Sequence, residues 1–325
     1  MPPPQTVSPK IAVILPCFNE EQTIREVVAD FRRALPTARI YVFDNASTDG
    51  TAAEAAAAQA TVLRVRNRGK GNVIRQAFAQ VDADVYVLAD GDGTYDASRA
   101  PELVRLLTDE ALDMVVGTRE HGPDAQAYRS GHIIGNQLFN WVVQVLFART
   151  FIDIFSGYRI FSRPFVKSFP ALAAGFETET EMSLHAIQLG LPCVEVPTHY
   201  KSRVEGSGSK LKTFRDGGRI LWFIVRLVKH TRPLFLFGTL AALVAAVSLG
   251  VGLPVAIEFA QTGLVPRLPT AVAAASMMVI AMVGLATGLI LDSVAYIQQE
   301  SKRLAYLAIS RQAVHAAIDG RNGTA

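Results

Sequence analysis

The sequence predicts an α/β domain on a mostly parallel, doubly wound sheet, followed by an interfacial helix and two transmembrane helices. Three observations predict it. Short β-branched runs alternate with helical stretches from Ile11 to about Tyr200, polar and acidic residues follow each run, and Leu234 to Leu291 is nearly free of charge. A chain of 325 residues, half of them hydrophobic, is long enough for one ordinary domain plus an apolar addition.

The strand candidates are IAVILP, RIYVFD, TVLRV, DVYVLAD and DMVVG. Helices are expected between them at Glu21 to Leu35, Ala52 to Gln59, Gly71 to Gln80 and Arg99 to Leu107. Such alternation implies parallel strands joined by crossovers, and ligands of these sheets bind beyond the carboxyl ends of the strands. The segments that follow the strands, in order, are PCFNEE, DNASTDGT, RNRGKGN, DGDGTYD and GTR. In the fourth, Asp90 and Asp92 stand one residue apart, and Gly91 and Gly93 permit close backbone approach. Their hard oxygens suit Mg²⁺ or Mn²⁺ shared with phosphates. An EF-hand is excluded because Pro101 stands where its closing glutamate belongs. RGKGN lacks the P-loop spacing, no GxGxxG opens the first helix, and there is no nucleic-acid motif.

The runs Leu234 to Ile257 and Ala271 to Leu291 are each long enough to cross roughly 30 Å of hydrocarbon, and neither has a polar face. Gly252 and Pro254 suggest a kink or an early exit from the first. Arg226, Lys229 and Arg232 precede the pair and Lys302, Arg303 and Arg311 follow it, whereas the linker carries only Arg267. This asymmetry predicts a multi-pass protein of the cell membrane with both termini cytoplasmic. MPPPQTVSPK has no apolar h-region, so no signal peptide is expected. Cys17 and Cys193 fit a reducing compartment and read as small core residues. If Arg215 to His230 is helical, its basic residues share one face, as in a helix lying among lipid headgroups. A solvated basic face is the alternative. The expected divisions are 1–210, 211–232, 233–298 and 299–325, the last a cytoplasmic tail.

The ordered set PCFNEE, DNASTDGT, RGKGN, DGDGTYD, GTR, FSGYR, FETETE and PTHYKSRVEGSGSK resembles the inverting nucleotide-sugar glycosyltransferases with the GT-A fold. It is most similar to their polyprenyl-phosphate branch, the dolichol-phosphate mannose synthases and the bacterial undecaprenyl-phosphate glucosyltransferases with two carboxyl-terminal spans. The motifs cover roughly Ile11 to Lys210. The resemblance implies a nucleotide-sugar donor, with a UDP-hexose favoured over GDP-mannose, a polyprenyl phosphate acceptor, and Mg²⁺ or Mn²⁺ as cofactor. It leaves a homo-oligomer open.

Carried over residue by residue, the resemblance assigns Pro16, Asn19, Glu20 and Asp44 to nucleotide binding, with Lys70 near the same pocket. It assigns Asp90 and Asp92 to the metal and diphosphate, and Arg119 to the phosphates, with an ordinary surface charge as the lesser alternative for Lys70 and Arg119. Asp153 matches an acid that serves as base or orienter, with helix capping or a salt bridge as the alternative. Two positions depart from the pattern: Asn45 stands where a second acid often follows Asp44, and Thr94 replaces the glutamine of a DxDxQ loop.

A lipid phosphate is largely dianionic at cytosolic pH, with a second pKa near 6, so it needs a cationic clamp more than a strong base. Arg129, Arg203, Ser207, Ser209 and Lys210 are candidates for that clamp, and the last four could instead belong to a solvated linker. Two other functions are weighed. A processive polysaccharide synthase would carry QxxRW, and neither Trp141 nor Trp222 sits in one; a non-catalytic GT-A membrane scaffold would not need an intact Asp90 and Asp92.

Overall fold

A computed structural model describes residues 9–121, 151–175, 177–201, 228–229 and 232–322. Among these residues seven strands form one sheet: β1 (Ile11–Cys17), β2 (Arg39–Asp44), β3 (Thr61–Arg64), β4 (Val85–Leu88), β5 (Met114–His121), β6 (Arg159–Ser162) and β7 (Cys193–Tyr200). Their spatial order is β3-β2-β1-β4-β6-β5-β7. All neighbours run parallel except β6, which is antiparallel to both β4 and β5. The register sets Cys17 beside Asp44 and Asp44 beside Arg64, so the ends of the first three strands form one rim.

The helices are α1 (Ile24–Ala34), α2 (Thr51–Ala57), α3 (Lys70–Gln80), α4 (Ala100–Asp109), α5 (Arg163–Ser168), α6 (Thr178–Leu189), α7 (Pro233–Thr262) and α8 (Leu268–Asn322). In α1 the buried residues Ile24, Val27, Val28 and Phe31 recur at helical spacing, with Arg25, Glu26 and Asp30 outside that stripe. That stripe and Leu103, Val104 and Leu107 of α4 share a core with Val13, Leu15 and Val87 of the sheet. On the other face Phe78 of α3 meets Tyr86 and Phe161 edge-on, and Phe165 of α5 stacks on Phe161. Each such side chain contributes about 1.5–3 kcal/mol by leaving water.

The five expected strands are present. Two more, β6 and β7, complete the sheet. Arg159 opens β6 with a charge, and Glu195, Pro197 and His199 break the apolar pattern of β7, so neither reads as a strand in sequence. Pro197 is tolerated because β7 lies at the edge of the sheet among the described residues, where a missing donor costs no central ladder bond.

The described residues divide into two compact units, the sheet with its helices and the stretch from Lys302 onward in one, and the apolar helices up to Ser301 in the other. In the second unit α7 continues through Pro254 to Thr262, past the expected exit. Both α7 and the apolar part of α8 are long and apolar enough to cross a membrane. Ser248 Oγ donates to Ala274 O at 2.7 Å between them. In the first unit, three residues of α8 bond to the end of α6 and to Asp113, just before β5. Lys302 Nζ donates to Gln188 Oε1 at 3.1 Å, Arg303 to Leu189 O, and Tyr306 Oη to Asp113 Oδ2 at 2.9 Å. The expected interfacial helix lies almost wholly outside the described residues.

Candidate active site

The rim formed by β1 and β2 is fixed by short polar side chains. Asn19 holds φ at +56°, and its Oδ1 accepts from the Thr48 N–H at 2.9 Å while Ser47 Oγ accepts from the Asn19 N–H at 3.0 Å. The Glu20 N–H donates to Thr51 Oγ1 at 2.8 Å. Asp44 is buried, accepts from the Ser47 N–H at 3.1 Å and lies 3.8 Å from Arg64 Nε, and Pro16 is half-buried one register step away. Four of the expected nucleotide-side residues therefore share one edge.

Asn45 explains its own departure from the acidic pattern. Its Oδ1 accepts from the Gly69 N–H at 2.7 Å, and its Nδ2 donates to Asn67 O at 2.8 Å. A carboxylate could accept the first bond but could not donate the second. This amide pins the loop in which Gly69, at φ +125°, turns the chain into α3.

Lys70, the first residue of α3, thus reaches across the sheet end. Its Nζ lies 2.5 Å from Asp90 Oδ1 and 2.6 Å from Glu179 Oε1, the latter on α6. Burial alone would lower its pKa, but the two carboxylates outweigh that and push it above its ordinary value. Lys70 is not a surface charge. A methyl group on Gly157 would come within 2.8 Å of Asp90 Oδ2 and 3.0 Å of Lys70 Nζ, so the FSGYR backbone forms the wall of this pair. Tyr95 Oη accepts from the Gly157 N–H at 2.8 Å and fixes that wall.

Asp92 is buried, and Thr94 donates to its Oδ1 through both Oγ1, at 2.6 Å, and its backbone N–H, at 3.2 Å. Thr94 therefore orients the second aspartate. Thr23 Oγ1 donates to Gly91 O at 2.8 Å and ties the loop to the start of α1. The same acids, after burial itself, push the buried Cys17 thiol well above its usual range, which leaves it unreactive. At the far side, Arg119 Nε and Nη2 donate to Asp153 Oδ2 and Oδ1, each at 2.7 Å. Of the roles open to Asp153 in sequence, this geometry is the salt bridge. The Tyr200 ring lies 5.7 Å from the Arg119 guanidinium, and the Lys201 N–H donates to Thr94 O at 2.9 Å. Arg129, Arg203, Ser207, Ser209 and Lys210 lie outside the described residues.

The family model for glycosyl transferase family 2 matches residues 12–167, the span that carries this rim. Glycosyltransferase AglJ of Haloferax volcanii is 35% identical over 260 residues, which cover 80% of this chain and 84% of the relative. The chain belongs to glycosyl transferase family 2. Within the family it is also similar to an undecaprenyl-phosphate mannosyltransferase of Micrococcus luteus, 24% identical over 61% of this chain and 86% of the relative. The fold matches glucosyl-3-phosphoglycerate synthase from Mycobacterium tuberculosis, solved with Mn²⁺, UDP-glucose and phosphoglyceric acid. The TM-score is 0.54 at 22% identity, over 68% of this chain and 79% of that one.

In this family 2 chain the donor set suits a hard divalent cation held jointly with phosphates. Asp90 and Asp92 offer carboxylate oxygens from one loop, and among the described residues no group of three or more potential ligands could cage an ion unaided. Two residues of the site escaped the sequence. Glu179 lies in FETETE, a motif that singles out no one acid, and its Oε2 is buried with no hydrogen-bond partner among the described residues. Arg159, the last residue of FSGYR, is fully buried and donates to Ser156 O at 2.8 Å, Ile154 O at 2.7 Å and Ser183 Oγ at 2.9 Å, which shapes the turn carrying Gly157.

Proposed function

We propose that this glycosyltransferase moves one hexose from a nucleotide-sugar, a UDP-sugar in preference to GDP-mannose, onto a polyprenyl phosphate at the cytoplasmic membrane face. The observation that carries the reading is the Asp90–Asp92 loop, set between the Asn19–Asp44 edge and the Arg119–Asp153 pair in a chain with two apolar helices. The name of the Micrococcus relative favours the lipid phosphate, and the Mn²⁺ and UDP-glucose of the mycobacterial structure favour the donor and the metal.

In this reading Pro16, Asn19, Glu20 and Asp44 hold the nucleoside, and Asp90 and Asp92 hold Mg²⁺ or Mn²⁺, which neutralises the leaving diphosphate. Thr94 keeps Asp92 aimed, and Asp153 keeps the Arg119 fork towards the phosphates. Asp153 is a poor proton acceptor. Burial raises its pKa, yet the Arg119 hydrogen bonds and charge lower it more, and the net value lies below the ordinary carboxylate range. A dianionic lipid phosphate attacks without a strong base. Arg129, Arg203, Ser207, Ser209 and Lys210 form its clamp in this reading, and Lys201, two positions before Arg203 in sequence, donates its N–H to Thr94 O beside Asp92.

Both ends of the chain belong on one side of the membrane. Support comes from the bonds of Lys302, Arg303 and Tyr306 to the unit that contains β5 and α6, since a chain that leaves a body and rejoins it crosses an even number of times. The deciding experiment incubates the purified full chain with undecaprenyl phosphate and a panel of UDP- and GDP-sugars, and identifies the lipid by mass spectrometry. A polyprenyl-phosphate-hexose is expected; donor hydrolysis without a lipid product overturns the acceptor assignment.

A further inference from the structure

An ammonium already occupies the place where a metal would compete. Lys70 Nζ sits 2.5 Å from Asp90 Oδ1, on a side chain only 11% exposed, while the partner carboxylate is 28% exposed and open to the rim. Behind it Glu179, 6% exposed, holds the same Nζ at 2.6 Å through Oε1 and keeps a second buried oxygen, Oε2, without a partner among the described residues. The ammonium thus has a shared acceptor in front and unused acceptor capacity behind. Gly157 lies against the side of this pair, where a methyl group would meet both Asp90 Oδ2 and Lys70 Nζ.

We propose that Lys70 is a resident counter-cation of Asp90 that yields this carboxylate to the divalent ion by settling onto Glu179, so that ion capture waits for the donor diphosphate. The inference rests on the reading that Asp90 and Asp92 hold the metal, and it assigns Glu179 a positioning role exerted through Lys70. Without the donor, a divalent ion approaching Asp90 meets the fixed positive charge of Lys70 within a few ångströms. With the donor, the diphosphate adds negative charge on the rim side, the repulsion is offset, and the ion and the nucleotide strengthen each other's binding reciprocally. Glu179 makes the exchange feasible because the ammonium never becomes an unpaired buried charge.

The test follows free Mn²⁺ by electron paramagnetic resonance in titrations of the detergent-solubilised full chain, with and without UDP or GDP. Wild type, Lys70→Met and Glu179→Gln are compared. Wild type is expected to take up Mn²⁺ weakly alone and more tightly with nucleotide. Lys70→Met should bind Mn²⁺ alone about tenfold more tightly than wild type, a coupling of ordinary size. Glu179→Gln should bind it more weakly, because Lys70 then has Asp90 as its only anionic partner among the described residues. A merely structural role would weaken uptake in both variants, and that result, or wild-type uptake in both, overturns the proposal. Thermal melting checks the fold. Should Lys70→Met not melt cooperatively, Glu179→Gln decides alone, with unchanged or tighter uptake overturning the inference. No uptake by wild type with either nucleotide would overturn the metal reading itself, whereas uptake with wild-type behaviour in both variants overturns this inference only.

Discussion

Arg119 and Asp153 meet as a fork on a carboxylate, with two 2.7 Å bonds between side chains that are 20% and 11% exposed. The Asp153 oxygen Oδ2 also accepts from the Arg119 backbone N–H at 3.2 Å, and the Asp153 N–H is held by Glu195 Oε1 at 2.9 Å. Position, charge and rotamer of the guanidinium are all set within the protein itself.

Asp153→Asn should lower stability by on the order of 3 kcal/mol, because a mostly buried Arg119 loses its counter-charge. The pH dependence has a definite sign. The folded pKa of Asp153 is depressed, so its contribution is complete above the unfolded value of about 4 and is lost as the pH falls through the folded value. Chemical denaturation between neutral pH and about pH 3 should show that loss in wild type and a flatter profile in Asp153→Asn.

Under the proposed metal assignment, Asp92→Asn should abolish transfer with little change in melting temperature, since the amide keeps the shape and removes the charge assigned to the ion. Thr94→Val should lower kcat by about tenfold, the effect of losing one hydrogen bond of roughly 1.4 kcal/mol that orients a charged group. Radiolabelled sugar transfer into extractable lipid measures both. Wild-type turnover in Asp92→Asn would remove the DxD assignment.

The sheet was legible wherever strands are apolar and uninterrupted, as in IAVILP and RIYVFD, because parallel central strands bury both faces. It was illegible in β6, where a fully buried arginine is paid no attention by hydropathy, and in β7, where edge position excuses Pro197. Asp90 and Asp92 stood out by their glycine-flanked spacing, whereas Lys70 entered only through the family resemblance of RGKGN. Glu179 did not stand out, since its meaning depends on a contact with Lys70 across 109 positions that only folding creates. Asn45 looked like a defect in a pattern until its two bonds were seen.

Gly157→Ala should cost more in donor binding than in stability. The added methyl would press on Asp90 and Lys70, whose positions belong to the rim, while the sheet behind them is unchanged. Calorimetry with UDP and Mn²⁺ should show at least about a tenfold weaker Kd, on the scale of a shift in one charge-assisted contact. Equal affinity would show that the loop yields freely.

Tyr306→Phe should destabilise the catalytic unit by about 1 kcal/mol, because Asp113, buried and shared with Ser162, loses one of its two side-chain donors. Removing residues after Ser301 should cost more, since the Lys302 and Arg303 bonds go too. Melting of the full chain and of each variant in the same detergent checks the order.

The two-way amide of Asn45 makes position 45 a site of epistasis. An aspartate there is one base change away from either asparagine codon and looks conservative, yet it would set a carboxylate against Asn67 O, and neither group can donate. Such a change can persist only where residues 66–69 have already rearranged to present a donor, so a route between the amide and acid versions of this rim passes through the loop first. Two lineages that differ at position 45 should therefore also differ in how the loop approaches the lysine, and exchanging the single residue between them should harm both.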